Sequence, residues 1–178
     1  MKTRADGVQL IVRGLSARAT VGIIICGNLR FPCALGWSGR STNKREGDGA
    51  TPVGAFTLRE AFYRADRLAR PRSHLPLTPL RMADGWCDDP PDRNYNRQVC
   101  HPYLASAEYL WRNDHLYDVI VVMSHNQCPC IRGRGSAIFM HVARPGITPT
   151  AGCVALRLPH LLRLLERISR RSVLRITA

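Results

Sequence analysis

The chain has no apolar run long enough to cross a bilayer. Its longest, Val21–Cys26 and Val119–Met123, fall far short of the about 20 residues a spanning helix takes. Residues Met1 to Asp6 are polar and lead straight into a strand-like VQLIV. The apolar segment of roughly 7–15 residues that a secretory signal needs is missing there. On this reading the protein stays inside, or its export information was removed or takes another form. Lysine is nearly absent: Lys2 and Lys44 are the only two, so arginine carries the net charge of +13. A charge of that size attracts polyanions. The arginines, however, lie singly or in pairs from Arg4 to Arg175, and no dense basic run is interleaved with stacking aromatics. That argues against a nucleic-acid partner. It leaves a solvated basic surface or attraction to a carboxylate-rich polymer.

Zinc-type cysteine spacing is absent as well. The cysteines stand at 26, 33, 87, 100, 128, 130 and 153, with no CxxC pair. Cys128-Pro129-Cys130 is too tight for a zinc knuckle. A metal site drawn from Cys100, His101, His125, Cys128 and Cys130 is the alternative; the expectation is no metal and no organic cofactor. Seven is odd, so at least one cysteine is unpaired within the chain. There are no repeats and no low-complexity tails.

At 178 residues the chain is long enough to bury a core, and a single domain over 1–178 is expected. Val8–Arg13 and Ala19–Cys26 read as strands. Gly27-Asn28 marks a hairpin into Leu29–Leu35. Gly36–Ala50 reads as a polar surface loop, and Ala55–Glu60 as a short strand. From Ala61 to Arg97 periodicity is lost among Pro71, Pro76, Pro79, Pro90 and Pro91. A segment that long is usually functional. His101–Arg112 is expected to hold a short helix. Tyr117–Met123 reads as a buried strand, and Ser136–Val142 and Cys153–Leu156 as two more. A helix follows from Leu158, with Pro159 in its first turn and Leu161, Leu162, Leu164, Leu165 and Ile168 on its apolar face. Ser172–Thr177 closes as a strand. The sum is mostly β, a sandwich or barrel-like domain with one main helix on the C-terminal side.

Chemistry concentrates between Ile138 and Leu156. An apolar run reaches His141, a loop follows, and Thr150-Ala151-Gly152-Cys153 opens the next run. A thiol needs a base near neutral pH, and imidazole is the usual one. The small residues Ala151 and Gly152 let backbone N–H groups face a reacting carbonyl. A buried Cys and a packed His explain each residue singly just as well, and the residues alone leave both readings open.

The stretch resembles the catalytic motif of the YkuD-type L,D-transpeptidases, in which a His precedes a Ser/Thr-x-Gly-Cys element. The matching residues are His141, Thr150, Gly152 and Cys153. A second match stands upstream: Asp48 to Phe56 is similar to the family's D-x-x-T-P-x-G-x-F segment, with Lys44 just before it. Val119–Met123 with His125-Asn126, and Gly133 to Ile138, resemble the strand and loop that lead to the family's histidine. The likeness covers roughly Leu10 to Ile168. It departs from the family at Ala151, commonly His; at Ala155, commonly Arg, the nearest Arg being Arg157; and at Val142, commonly Gly or Ser.

The resemblance implies an enzyme. Cys153 would be the nucleophile and His141 the base, acting on a free thiol or on a preformed ion pair. The carbonyl of Val142 would orient the imidazole, and Gly152 would help hold the oxyanion. The substrates implied are peptidoglycan stem peptides, as donor and acceptor, joined in 3-3 or 1-3 cross-links. Substrate contacts are expected from Thr150, Ala151, His125, Asn126 and Arg144. Trp86, Tyr95 and Arg97 are expected to wall the groove, with Arg97 on a carboxylate and Asp88 or Asp89 on an amine. Such a substrate places the protein in the periplasm or cell envelope, as a monomer. A wall amidase or lipoprotein-releasing hydrolase with the same Cys and His, and a basic polyanion-binding module with an inert Cys153, are the alternatives.

Overall fold

Alternating apolar residues in the first three strands set the architecture. β1 (Gln9–Gly14), β2 (Val21–Cys26) and β3 (Leu29–Ala34) form an antiparallel meander, and Cys26 faces Leu29 across the expected Gly27-Asn28 turn. Short β4 (Arg40–Ser41) pairs in parallel with β5 (Thr51–Pro52). β6 (Gly54–Tyr63) follows, ten residues long and longer than the Ala55–Glu60 strand expected. Next come β7 (Leu77–Pro79), β8 (Asp84–Cys87), β9 (Gln98–Cys100) and β10 (Ala107–Tyr109). β11 (Val119–Met123), β12 (Phe139–Val142), β13 (Val154–Leu156), α1 (Leu158–Leu165) and β14 (Val173–Ile176) complete the chain. The computed structural model describes residues 7–178. The polar lead Met1–Asp6 lies outside the described residues.

Eight strands close a barrel in the order β11, β12, β13, β3, β2, β1, β14, β6 and back to β11, with β7 appended to β6. The fold is therefore mostly β with a single α-helix, as the sequence suggests, and closure is the finer result. Closure leaves one wall facing a continuous interior. Leu10, Val12, Ile24, Leu58, Val121, Met140, Val154, Leu156 and Leu174 point into it. Leu161, Leu164 and Leu165 of α1, with Ile168 beyond it, join the same core. Pro159 sits in the first turn and Arg163 in the last, an arrangement that suits the helix dipole. Among the described residues no helix is long and apolar enough to cross a membrane.

β11 is buried along its whole length because its outer face is covered too. Ile120 and Val122 point outward, and with Phe62, Leu80, Trp86, Leu110, Tyr117 and Phe139 they form a second apolar cluster. The covering element is the small sheet β10-β8-β9. It lies within the proline-rich excursion whose elements the sequence hides. No helix forms at His101–Arg112. Glu108 there pairs with Trp86 across β10 and β8, and the Leu110 N–H reaches Asp84 O at 2.9 Å. A backbone with strand partners on offer follows the ladder, and a weak apolar spacing does not override it.

Candidate active site

The two halves of the Ile138–Leu156 stretch lie side by side. β12 and β13 run parallel, with His141 opposite Ala155 and Met140 opposite Val154. Residue alternation then sends Met140, Val142, Val154 and Leu156 inward. Phe139, His141, Cys153 and Ala155 face outward, toward the covering sheet. Cys153 belongs to the outer cluster with Phe139 and Trp86. Cys153 and His141 line one cleft of about 260 Å³, together with Ala151, Thr150, Arg144, Trp37, Glu108, Arg112 and Tyr117.

The thiol sits between two backbone groups. The Phe139 N–H donates to Cys153 Sγ at 3.3 Å, and the thiol donates to Ala137 O at 3.2 Å. Burial pushes the thiol up to about 12, against the lowering effect of the Phe139 N–H. His141 is buried, and its Nδ1 lies 2.8 Å from Val142 O. A carbonyl only accepts, so Nδ1 carries the hydrogen and Nε2 is the basic nitrogen. Burial pulls the imidazolium down to about 4. Both shifts favour the neutral thiol and the neutral imidazole over an ion pair. Tyr117 stands edge-on to His141, with ring centroids 5.3 Å apart.

The turn ahead of Cys153 is held by Thr150. Its hydroxyl donates to Cys153 O at 2.7 Å and accepts from Gly152 N at 3.1 Å. The Gly152 amide, expected to face an oxyanion, is thus turned onto Thr150. Gly152 has φ +134°, and a Cβ there would lie 2.8 Å from Ala50 O.

That close approach explains why two motifs a hundred residues apart go together. The Gly36 N–H donates to the buried Thr51 hydroxyl at 2.8 Å. Trp37 N donates to Thr150 O at 2.9 Å, and Thr150 N to Leu35 O at 2.8 Å. The upstream segment is the bed under the Thr150–Cys153 turn, so Gly36–Ala50 is not the plain surface loop expected. Lys44 is buried in it, paired with Asp48. Burial raises the Asp48 carboxyl, but the Lys44, Arg45 and Ala50 donors outweigh it and hold the group below its ordinary value.

Five residues expected at the substrate lie outside the Cys153 cleft. Trp86 and Tyr95 are buried and His125 and Asn126 partly so, and none of the four lines the Cys153 cleft. The Trp86 Nε1–H donates to Asn96 Oδ1 at 3.0 Å. Tyr95 OH bonds the Glu46 carboxylate and accepts from Gly135 N. His125 donates from Nε2 to Arg134 O at 2.9 Å, and burial lowers its pKa. The Asn126 amide ties Ile131 O and Gly135 O, each at 2.9 Å. Arg97 is exposed in a separate hollow that Trp86 and Asn96 also line, with Gln98, Gln127 and Cys130. Of these, Trp86 is held by the apolar outer cluster, and Tyr95, His125 and Asn126 by the polar contacts above. Arg157 lies off the cleft, which leaves Arg144 as the arginine of that pair that reaches it.

No pattern in the sequence singles out Asn96 or most of the cleft wall. Buried Asn96 donates to His125 O at 3.0 Å and Asn126 O at 2.8 Å, and accepts from Trp86 Nε1 and from Ala137 N at 3.1 Å. It fixes the Ala137 backbone whose carbonyl receives the Cys153 thiol. Trp37, Glu108, Arg112 and Tyr117 are isolated in sequence, and no local pattern points to their convergence. All seven cysteines are free. Among the described residues no His, Cys, Asp and Glu cluster has the make-up of a metal site.

A family model described as YkuD, L,D-transpeptidase catalytic domain, matches residues 25–176. No curated protein and no solved structure matches the chain.

Proposed function

The chain belongs to the YkuD family of L,D-transpeptidase catalytic domains, and from that premise we propose that it is a cysteine acyltransferase acting on peptidoglycan stem peptides. One observation carries the reading. His141 on β12 and Cys153 just ahead of the adjacent parallel β13 open into the same cleft, with His141 Nδ1 tied to Val142 O. That tie leaves Nε2 as the base.

The resting pair is neutral, so the proton moves as the bond forms. The S–H turns from Ala137 O to His141 Nε2. The sulfur attacks a stem-peptide amide carbonyl, and the Cys153 N–H supports the oxyanion. The imidazolium then protonates the departing amine, leaving an acyl-thioester. An amine of a second stem attacks that thioester and regenerates Cys153. Arg144, exposed at the rim, and Ala151 are substrate contacts in this reading. Ala155 opposite His141 removes the family's usual arginine from this face. That supports a divergent donor, with 3-3 and 1-3 products both open to it. The reading places the protein in the cell envelope as a monomer, with no metal or organic cofactor in the reaction.

Incubation with disaccharide-peptides followed by sizing of the products tests this. Cross-linked dimers that disappear with Cys153→Ala are expected. Shortened monomers alone would make the chain a hydrolase using the same Cys and His. Unchanged peptides, or products that persist in Cys153→Ala, overturn the proposal.

A further inference from the structure

Acyl transfer needs a place for the attacking amine as well as for the acyl group. Cys153 and His141 occupy one wall of the cleft. Glu108, on β10 of the covering sheet, occupies another and is the only acid lining it among the described residues. Its Oε1 is engaged twice, accepting from Tyr117 OH at 2.8 Å and from Arg112 Nη1 at 3.4 Å. Arg112 is in turn clamped by Asp114 at 2.9 and 2.5 Å. Glu108 Oε2 has no protein donor among the described residues, and the side chain is 27% exposed. The carboxylate is therefore fixed in orientation, with one oxygen open to the cleft.

The sign of its effect on the nucleophile separates its role from theirs. The Glu108 charge pushes the Cys153 thiol up, so it opposes the first half of the reaction. Burial also raises the Glu108 carboxyl itself, against Tyr117 and Arg112, toward the range where a proton can be taken and returned. A half-buried carboxylate with a free oxygen is complementary to an ammonium.

We propose that Glu108 receives the acceptor amine and takes its proton as that amine attacks the Cys153 thioester. This rests on the acyl-transfer reading above. The ammonium gives one proton to Glu108. The amine nitrogen forms the C–N bond, and the C–S bond breaks. The second amine proton passes through His141 to the leaving sulfur, and Glu108 releases its own proton to solvent. The balance is thioester plus ammonium to amide, thiol and one proton.

Glu108→Gln is the test, because it keeps an oxygen for Tyr117 OH. Disaccharide-tetrapeptide serves as donor and disaccharide-tripeptide as acceptor. Cys153 acylation, followed by intact mass, is expected to stay within about threefold of wild type while transfer falls about 100-fold, the reach of one general base. The KM for the acceptor rises, hydrolysis takes a larger share, and Glu108→Asp recovers part of the transfer. Transfer at the wild-type rate in Glu108→Gln overturns the proposal. So does a parallel loss of acylation and transfer, which marks a structural role. A wild-type chain that forms no acyl-enzyme overturns the acyl-transfer reading, and this proposal with it.

Discussion

His141 donates its Nδ1 hydrogen to the carbonyl of its own neighbour, Val142, at 2.8 Å, and burial holds the imidazolium down to about 4. The Cys153 thiol in the same cleft is held up to about 12. If the proposed reaction runs from neutral imidazole and neutral thiol, that form spans the whole range between. The pH profile of kcat/KM reports the free enzyme. It is expected to stay level from about pH 5 to about pH 9, where an unperturbed histidine would give an acid limb near 6.5. An acid limb centred near 6.5 in the rate of Cys153 acylation contradicts the assignment.

The same shift sets a stability dependence. In the unfolded chain His141 titrates at about 6.5, and in the folded chain at about 4. Between those values the unfolded state binds the proton and the folded state does not. Stability from this residue is thus full above the unfolded value and falls as pH drops toward the folded one. The loss from pH 7 to pH 5 is about 2 kcal/mol. Urea unfolding at both pH values should show it in wild type and show less in His141→Gln. Equal losses in the two proteins would remove the buried neutral histidine from the account.

Asn96 is satisfied on both sides of its amide. Asn96→Ala leaves Trp86 Nε1 and Ala137 N without their acceptor and frees two carbonyls. The expected cost is about 2–5 kcal/mol by thermal or urea unfolding. Positive φ at this residue, +58°, adds to the penalty for Ala. Asn96→Ala within about 0.5 kcal/mol of wild type would show that the network carries nothing.

Gly152→Ala brings a Cβ to 2.8 Å from Ala50 O at φ +134°. The backbone must shift at the residue before Cys153. A stability loss of about 1–3 kcal/mol is expected, with acylation reduced more than tenfold in about the manner of a misplaced reacting group. Gly133→Ala is the control: it also has positive φ, but nothing lies within 4 Å. It should cost only the backbone penalty, about 1 kcal/mol, and leave acylation unchanged. Equal rates in both variants would mean that the fit against Ala50 does not position Cys153.

The parts legible in the sequence are those with local signals. The VIVVM strand, the Gly27-Asn28 hairpin and the Leu-rich helix each follow from spacing or turn chemistry. The pairing of His141 with Cys153 was legible because both stand at ends of apolar runs that become neighbours in the barrel. The stretch from Ala61 to Tyr117 was not, because β8, β9 and β10 are only three or four residues long and exist by pairing with one another. For that reason Trp86 and Tyr95 read as groove walls but are buried, and no local pattern marks Glu108 or Tyr117 as facing the thiol's cleft. Asn96 was hidden for the same reason: its four partners come from three separate segments.

The most direct test of the account is the mass of the intact protein after brief exposure to disaccharide-tetrapeptide. Wild type is expected to gain the mass of an acyl stem fragment on the peptide containing Cys153. The adduct should be absent in Cys153→Ala and should form about 100-fold or more slowly in His141→Gln, the contribution of a general base. No adduct on the wild-type chain, or an adduct on a residue other than Cys153, contradicts it.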